Sequence, residues 1–194
     1  MIGETGHSGP SFSTPFCSRI VYGCLFCVTG KEQYVAQNIE RHVPQIHACA
    51  VYQTKRHSLH GKTFLQNELL LPGYVMFQAP EWTDVFNLIP EDDTISILTY
   101  SDGDWRLYGT DEEYAKWIFR YDGLISLSKA YKIGDRIQIV DGPLKDMEGL
   151  ITRIDRRNQS GQVTLTLGGK QRKVWLGFKI IEELPSNEKI SMAE

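Results

Sequence analysis

The side chains best suited to chemistry are cationic, and they cluster late in the chain. Arg153, Arg156 and Arg157 come just before Asn158-Gln159-Ser160-Gly161, and Lys170, Arg172 and Lys173 follow Gly168-Gly169. A guanidinium offers planar donors for bidentate phosphate contact and a flat face for stacking on splayed bases, so this pattern suits RNA. Four such groups on duplex phosphates would give a log K against log salt slope of about −3.6. The competing reading is edge protection, since Lys and Arg on the strands of a small sheet also block edge-to-edge association. A second basic group, Lys55, Arg56 and Lys62, brackets the polar stretch around His60-Gly61.

Catalytic arrangements fail on inspection. Gly6-His7-Ser8-Gly9 lacks the spacing of a nucleophile elbow. Gly30-Lys31 lacks the upstream Gly and the following Ser or Thr of a phosphate loop. Glu91-Asp92-Asp93 has no visible general-acid partner. Of the cysteines Cys17, Cys24, Cys27 and Cys49, only Cys24 and Cys27 form a Cys-x-x-Cys, and no second ligand pair follows at zinc spacing. That pair lies inside an apolar strand, with its side chains expected on opposite faces as small buried hydrophobes rather than a redox couple. A non-enzyme without metal or cofactor is expected.

Two units must position these groups. The chain of 194 residues has 41% hydrophobic and 23% charged residues, ordinary for a soluble globular protein. No apolar run approaches the roughly 18–20 residues needed to span a bilayer. Met1 to Ser18 is Gly/Ser/Thr/Pro-rich and lacks the pattern of a secretory signal, so a disordered tail at 1–18 and a cytoplasmic location are expected. The net charge of −3 conceals an asymmetry. From Lys129 to Leu184 there are 11 Lys/Arg against 7 Asp/Glu, and elsewhere 10 against 17. A basic unit beside an acidic one implies different partners for each, with ordinary solvated charge as the alternative.

The first unit reads as a compact α+β domain over 19–121, an antiparallel sheet with flanking helices in the order β-α-β-β-α-β-α. A strand over 20–28 leads into Thr29-Gly30-Lys31-Glu32, a capping box, and a helix to about His42 with Val35 and Ile39 buried. A strand starts at Ala50–Gln53, and Lys55 to Lys62 reads as a hairpin tip. Pro72-Gly73 bends the chain before a strand over Tyr74–Phe77. A helix is predicted over Glu81–Leu88, with Trp82, Val85, Phe86 and Ile89 on one side. A short strand follows at Ile95–Leu98. Thr110-Asp111-Glu112-Glu113 forms a second capping box, starting a helix that buries Tyr114, Trp117 and Ile118 and stops at Asp122-Gly123. After a linker at 122–131, residues 132–184 read as a small all-β, SH3-like barrel. Its expected strands are 136–140, 149–155, 162–167, 172–176 and 178–182, with turns at Ser160-Gly161 and Gly168-Gly169. A polar tail occupies 185–194.

Gly134-Asp135, an apolar strand, Gly142-Pro143-Leu144-Lys145, then Gly149 and a second strand resemble the KOW motif of transcription and translation proteins. Joined to Thr29–Glu32 and to Leu71-Pro72-Gly73-Tyr74-Val75, this order resembles the bacterial NusG family over about Ile20 to Leu184. The resemblance implies a non-enzymatic elongation factor with an NGN domain that rides on the RNA polymerase clamp. Its KOW domain would recruit RNA, termination factor Rho or a ribosomal protein. The positions matching the clamp-facing motif are Tyr22, Leu70, Leu71, Pro72 and Tyr74, which periodicity alone reads as core. Val21-Tyr22-Gly23 departs from the family's usual Trp-Tyr-Val.

The C-terminal half is most similar to LoaP-type antiterminators, through Gly123 to Lys129, Ile154-Asp155-Arg156-Arg157 and Lys173 to Gly177. That likeness implies a structured nascent leader RNA as ligand. It also makes Lys55, Arg56 and Lys62 candidates for contact with non-template DNA. A monomer with no membrane attachment is expected. A housekeeping elongation factor and a ribosome-associated KOW protein are the alternatives.

Overall fold

The structure, a computed structural model, describes residues 19–86 and 94–184. The first half contains β1 (Ile20–Cys27), α1 (Glu32–His42), β2 (His47–Ala50), β3 (Tyr52–Leu59), β4 (Lys62–Leu69), β5 (Tyr74–Pro80), β6 (Thr94–Ile97) and α2 (Thr110–Arg120). β7 (Leu124–Ile125), β8 (Ser128–Ile133), β9 (Arg136–Asp141) and the short α3 (Pro143–Asp146) follow. The chain then forms β10 (Ile151–Asp155), β11 (Ser160–Leu167) and β12 (Lys170–Leu184). The expected tails at 1–18 and 185–194, Cys17 and the acidic run at 91–93 lie outside the described residues.

β1 sits inside a four-stranded sheet of order β2-β5-β1-β6, and its side chains separate two cores. Val21, Leu25 and Cys27 face α1, packing with Val35, Ala36, Ile39 and Phe77. Tyr22, Cys24 and Phe26 face the other way, toward Tyr114, Trp117 and Ile118 of α2 and toward the C-terminal strands. The period-2 alternation of a strand thus places Cys24 and Cys27 in different cores. Gly23 is required here, because a Cβ would fall 2.1 Å from the Phe77 ring.

Both helices begin at the expected places, but neither uses a capping box. α1 has Lys31 at its N-cap without a side-chain bond. The Glu32 carboxylate instead accepts the Gly30 N–H at 2.9 Å and, across the sheet, the Gly73 N–H at 2.7 Å. α2 has Gly109 at its N-cap, and Asp111 likewise turns outward from its own helix end. In each case a tertiary partner takes the acidic side chain from the local cap.

The helix expected over 81–88 does not form in its described part, and 87–89 lie outside the described residues. Thr83 N–H closes a turn on Pro80 O, and Asp84 Oδ1 accepts the Phe86 N–H at 3.3 Å. This local bonding by a short acidic side chain competes with helix formation. Val85 is buried, whereas Trp82 and Phe86 are 68% and 56% exposed, so the apolar residues share no buried face.

β3 and β4 pair from Tyr52↔Leu69 to Leu59↔Lys62. The hairpin tip is therefore His60-Gly61, at φ 49° and 76°, a two-residue turn needing positive φ. Lys55 and Arg56 lie in the strand rather than at the tip. Residues 122–131, expected as a linker, carry β7, parallel to β3, and the start of β8.

The C-terminal sheet has the order β10-β11-β12-β8-β9. Its strand set differs from expectation at three points. Ser160 and Gly161 are paired residues of β11, and the turn before them is 156–159, closed by Gln159 at φ 49°. Two strands expected at 172–176 and 178–182 are the single β12, which switches partner from β11 to β8 at Phe178. Gly177 does not break it: the backbone continues the ladder, and a Cβ there would meet Leu127 at 2.4 Å. β8 supplies the remaining strand.

One face of α2 fastens the halves together at intervals of three or four residues, the spacing of neighbours on a helix. Asp111 Oδ2 accepts the Gly168 N–H at 2.9 Å, and Tyr114 O–H donates to Thr164 O at 3.2 Å. Trp117 Nε1–H donates to Pro143 O at 3.1 Å. Arg120 and Tyr121 both reach Asp146 Oδ2, at 2.9 and 2.8 Å. The apolar core is continuous across this seam.

Candidate functional site

The candidate clamp-facing residues separate by environment. Leu70, Leu71 and Tyr74 are buried, Pro72 is exposed and Tyr22 is half-buried against Phe119 of α2, ring centroids 5.7 Å apart. The cover over Tyr74 comes from the C-terminal half. Arg172 Nη2 donates to the Tyr74 hydroxyl at 2.7 Å, and its guanidinium lies 4.5 Å from the ring centroid. Such a stacked cation contributes about 0.5–2 kcal/mol, more where water is excluded. Leu71 and Met76 meet Leu165 and Leu167 in the same layer. Phe26 packs edge-on to Tyr74 at 4.9 Å. The Pro72-Gly73 bend beneath this layer is held by Glu32.

The expected RNA-binding residues also separate. Arg172 belongs to the seam. Lys170 and Lys173 are exposed on the Gly168-Gly169 hairpin. Arg153 is exposed on β10 opposite Gln162, which in turn pairs with Trp175. Arg156 and Arg157 stand exposed in the 156–159 turn. With Lys132, Asp135, Ile137, Gln159 and Ile180 they line a cleft of about 350 Å³.

The basic hairpin residues diverge as well. Lys55 pairs with Glu68 at 3.0 Å, whereas Arg56 donates through Nη1 to Gln159 Oε1. Lys62 is exposed beside the hairpin tip. The fold therefore brings Arg56, from the first half, to Gln159 in the turn that carries Arg156 and Arg157.

Among the Gly-Pro motif residues, Gly134 at φ 55° turns β8 into β9, with Asp135 exposed beside it. Gly142, at φ 93°, permits close approach to Ser128, whose Oγ accepts the Leu144 N–H at 2.8 Å. Pro143 starts α3 and is buried under Trp117. Lys145 pairs with Glu148, and Gly149 lies in open space in a short 3-10 turn.

Cys24 and Cys27 are buried free thiols, and Cys49 is half-buried. Burial, reinforced by Asp111, pushes the Cys24 thiol far above its usual range. Burial, then Asp122 and Glu40, raise the Cys49 thiol to about 12. These are packing groups rather than nucleophiles. Among the described residues no cluster of His, Cys, Asp and Glu has a metal-ligand arrangement. No described helix is long and apolar enough to cross a membrane.

Sequence reasoning missed Glu32, Asp111, Lys132 and Gln159. The acidic pair was visible only as helix-cap residues. Nothing local marks a Gln as the partner of an arginine far away in the chain.

The chain is 29% identical over 135 residues to the transcription termination/antitermination protein NusG of Borreliella burgdorferi, covering 64% of this chain and 73% of that protein. By sequence, this chain is similar to NusG. A solved structure, "Domain interaction in Thermotoga maritima NusG", aligns with a TM-score of 0.46 at 21% identity, covering 82% of this chain and 94% of that one. No family model matches the sequence. This chain pairs a mixed α/β first half with a β-rich second half, joined through one face of α2.

Proposed function

We propose that this protein is a non-enzymatic transcription elongation and antitermination factor of the NusG type. It binds the RNA polymerase clamp through the layer containing Tyr22, Leu70, Leu71, Pro72 and Tyr74, and engages nascent RNA through its C-terminal half. The sequence similarity to NusG carries this reading. The finer assignment, a LoaP-type antiterminator reading a structured leader, rests on the exposed Arg156 and Arg157 and on the C-terminal likeness.

The covered state of Tyr74 gives the proposal a mechanism. An apolar layer that docks on polymerase must be uncovered first, and here Arg172, Leu165 and Leu167 cover it. The arrangement described is a closed form, and polymerase selects the form in which the C-terminal half has swung away. Capture by immobilised bacterial RNA polymerase core tests this. Arg172→Ala, which uncovers Tyr74, increases capture, and Leu71→Asp abolishes it. No capture by either the wild type or Arg172→Ala would remove the polymerase assignment. Gel shifts with leader hairpins weaken when Arg156 and Arg157 both become Ala, and unchanged shifts would remove the RNA assignment.

A further inference from the structure

Several cations of this molecule are matched to carboxylates. Lys55 pairs with Glu68, Lys129 with Asp141, Lys145 with Glu148, Arg120 with Asp146, and Arg106 with both Glu81 and Asp104. The arginines at and beside the 156–159 turn are matched weakly or by no carboxylate among the described residues. Arg156 reaches Asp135 only at 4.0 Å, and that carboxylate is 99% exposed. Among the described residues, neither Arg157 nor Arg56 has a carboxylate partner. The neutral Gln159 side chain, itself part of the cleft lining, accepts a hydrogen bond from the Arg56 guanidinium. Arg56 therefore meets the turn through a neutral partner, from a strand 103 residues away in sequence.

The floor of the cleft is apolar, formed by Ile137 and Ile180. Its volume of about 350 Å³ falls in the range of small-ligand pockets. An apolar floor beside arginines with a weak carboxylate partner or none fits the two faces of a nucleotide: ribose or base below, phosphodiester at the rim. An acidic peptide would match the rim but leave the isoleucines without an occupant.

We propose that Arg56, Arg156 and Arg157 form one composite site for the sugar-phosphate backbone of a single nucleic-acid strand, built from both halves of the chain. The proposal rests on the RNA reading above and extends it. The hairpin and the turn are not separate contacts to separate strands but one surface. The site is complete only while the halves are docked, so a bound strand stabilises the closed form by mass action. Nucleic acid and polymerase then oppose one another through the same seam.

Fluorescence anisotropy on the full chain, with labelled single strands of about 12 nucleotides, tests this. Arg56→Ala lowers affinity about five- to tenfold and reduces the log K against log salt slope by about 0.7, one single-strand phosphate contact. Arg56→Lys restores the slope, which a merely unfolded hairpin would not do. Lys116→Ala, on α2 and paired with Glu112 at 2.7 Å, changes affinity less than about twofold. Arg172→Ala, which loosens the seam, weakens strand binding while raising polymerase capture.

RNA bound more tightly than DNA of the same sequence assigns the transcript. The reverse order assigns a displaced DNA strand, and equal affinity supports backbone recognition alone. An effect of Arg56→Ala no greater than that of Lys116→Ala overturns the composite site. If the Arg156→Ala/Arg157→Ala variant still weakens binding in that case, the RNA reading survives. If that variant is also silent, both fall.

Discussion

The two ends of β11 carry similar residues and meet different surroundings. At the Leu167 end, Gly168 offers its N–H to Asp111, Leu98 lies against the turn, and Arg172 on the next strand covers Tyr74. At the Ser160 end, the turn bearing Arg156 and Arg157 faces solvent, and Arg56 through Gln159 is its link to the first half. Side-chain parity explains much of the contrast. Arg172 shares a face with Val174 and Leu176, which point into the core, while Lys173 points out with Trp175. A cation's role here follows from its register, not from its place in a basic run.

The sharpest test of the contrast is to damage each end alone. Leu165→Ala removes a buried side chain where the two halves meet, and truncations of this kind cost about 2–5 kcal/mol. Arg157→Ala, at the open end, changes stability by about 0.5 kcal/mol or less. Urea unfolding measures both. Equal losses would mean that the open end is as structural as the seam.

A smaller effect is expected at Asp111. Its Oδ2 accepts the Gly168 N–H at 2.9 Å and the Tyr100 O–H at 2.7 Å. Burial, then Asp111, raises the Tyr100 phenol well above its usual range, so it remains a donor throughout the working pH range. Asp111→Ala leaves both donors without their acceptor, a loss of about 1–3 kcal/mol. Hydrogen exchange at the Gly168 amide should accelerate while amides of α1 stay protected. Acceleration in both places would show that the seam and the first core unfold together.

The sequence made the strand and helix periods legible, along with the Pro72-Gly73 bend, the Gly142-Pro143 turn and the burial of Tyr114, Trp117 and Ile118. It could not separate the fates of Arg172 and Arg156, because basic residues near turns look alike until pairing partners are known. It misread 81–86, where helical spacing of apolar residues lost to Asp84 accepting the Phe86 N–H. It assigned Glu32 to its own helix cap, although that carboxylate reaches Gly73 across the sheet. The arginine cleft escaped for the same reason: Arg56 and Gln159 meet only through the tertiary fold.

The smallest effect is at the hairpin that carries Arg56. Hydrogen bonding from Lys55, together with its charge and that of nearby His57, holds the Glu68 carboxyl below its usual range. A depressed carboxylate stabilises the fold above its unfolded pKa of about 4.3, and that contribution is lost as pH falls through the lower folded value. The ion pair is about a third exposed on each side, so solvent screening limits its worth to about 0.5 kcal/mol. Glu68→Gln should therefore lower the urea midpoint slightly at pH 7, by an amount that shrinks as pH falls below about 4. The same substitution frees Lys55 beside Arg56. At pH 7 it should strengthen strand binding modestly if the hairpin belongs to the nucleic-acid surface. A change in stability without a change in binding would confine that surface to the turn.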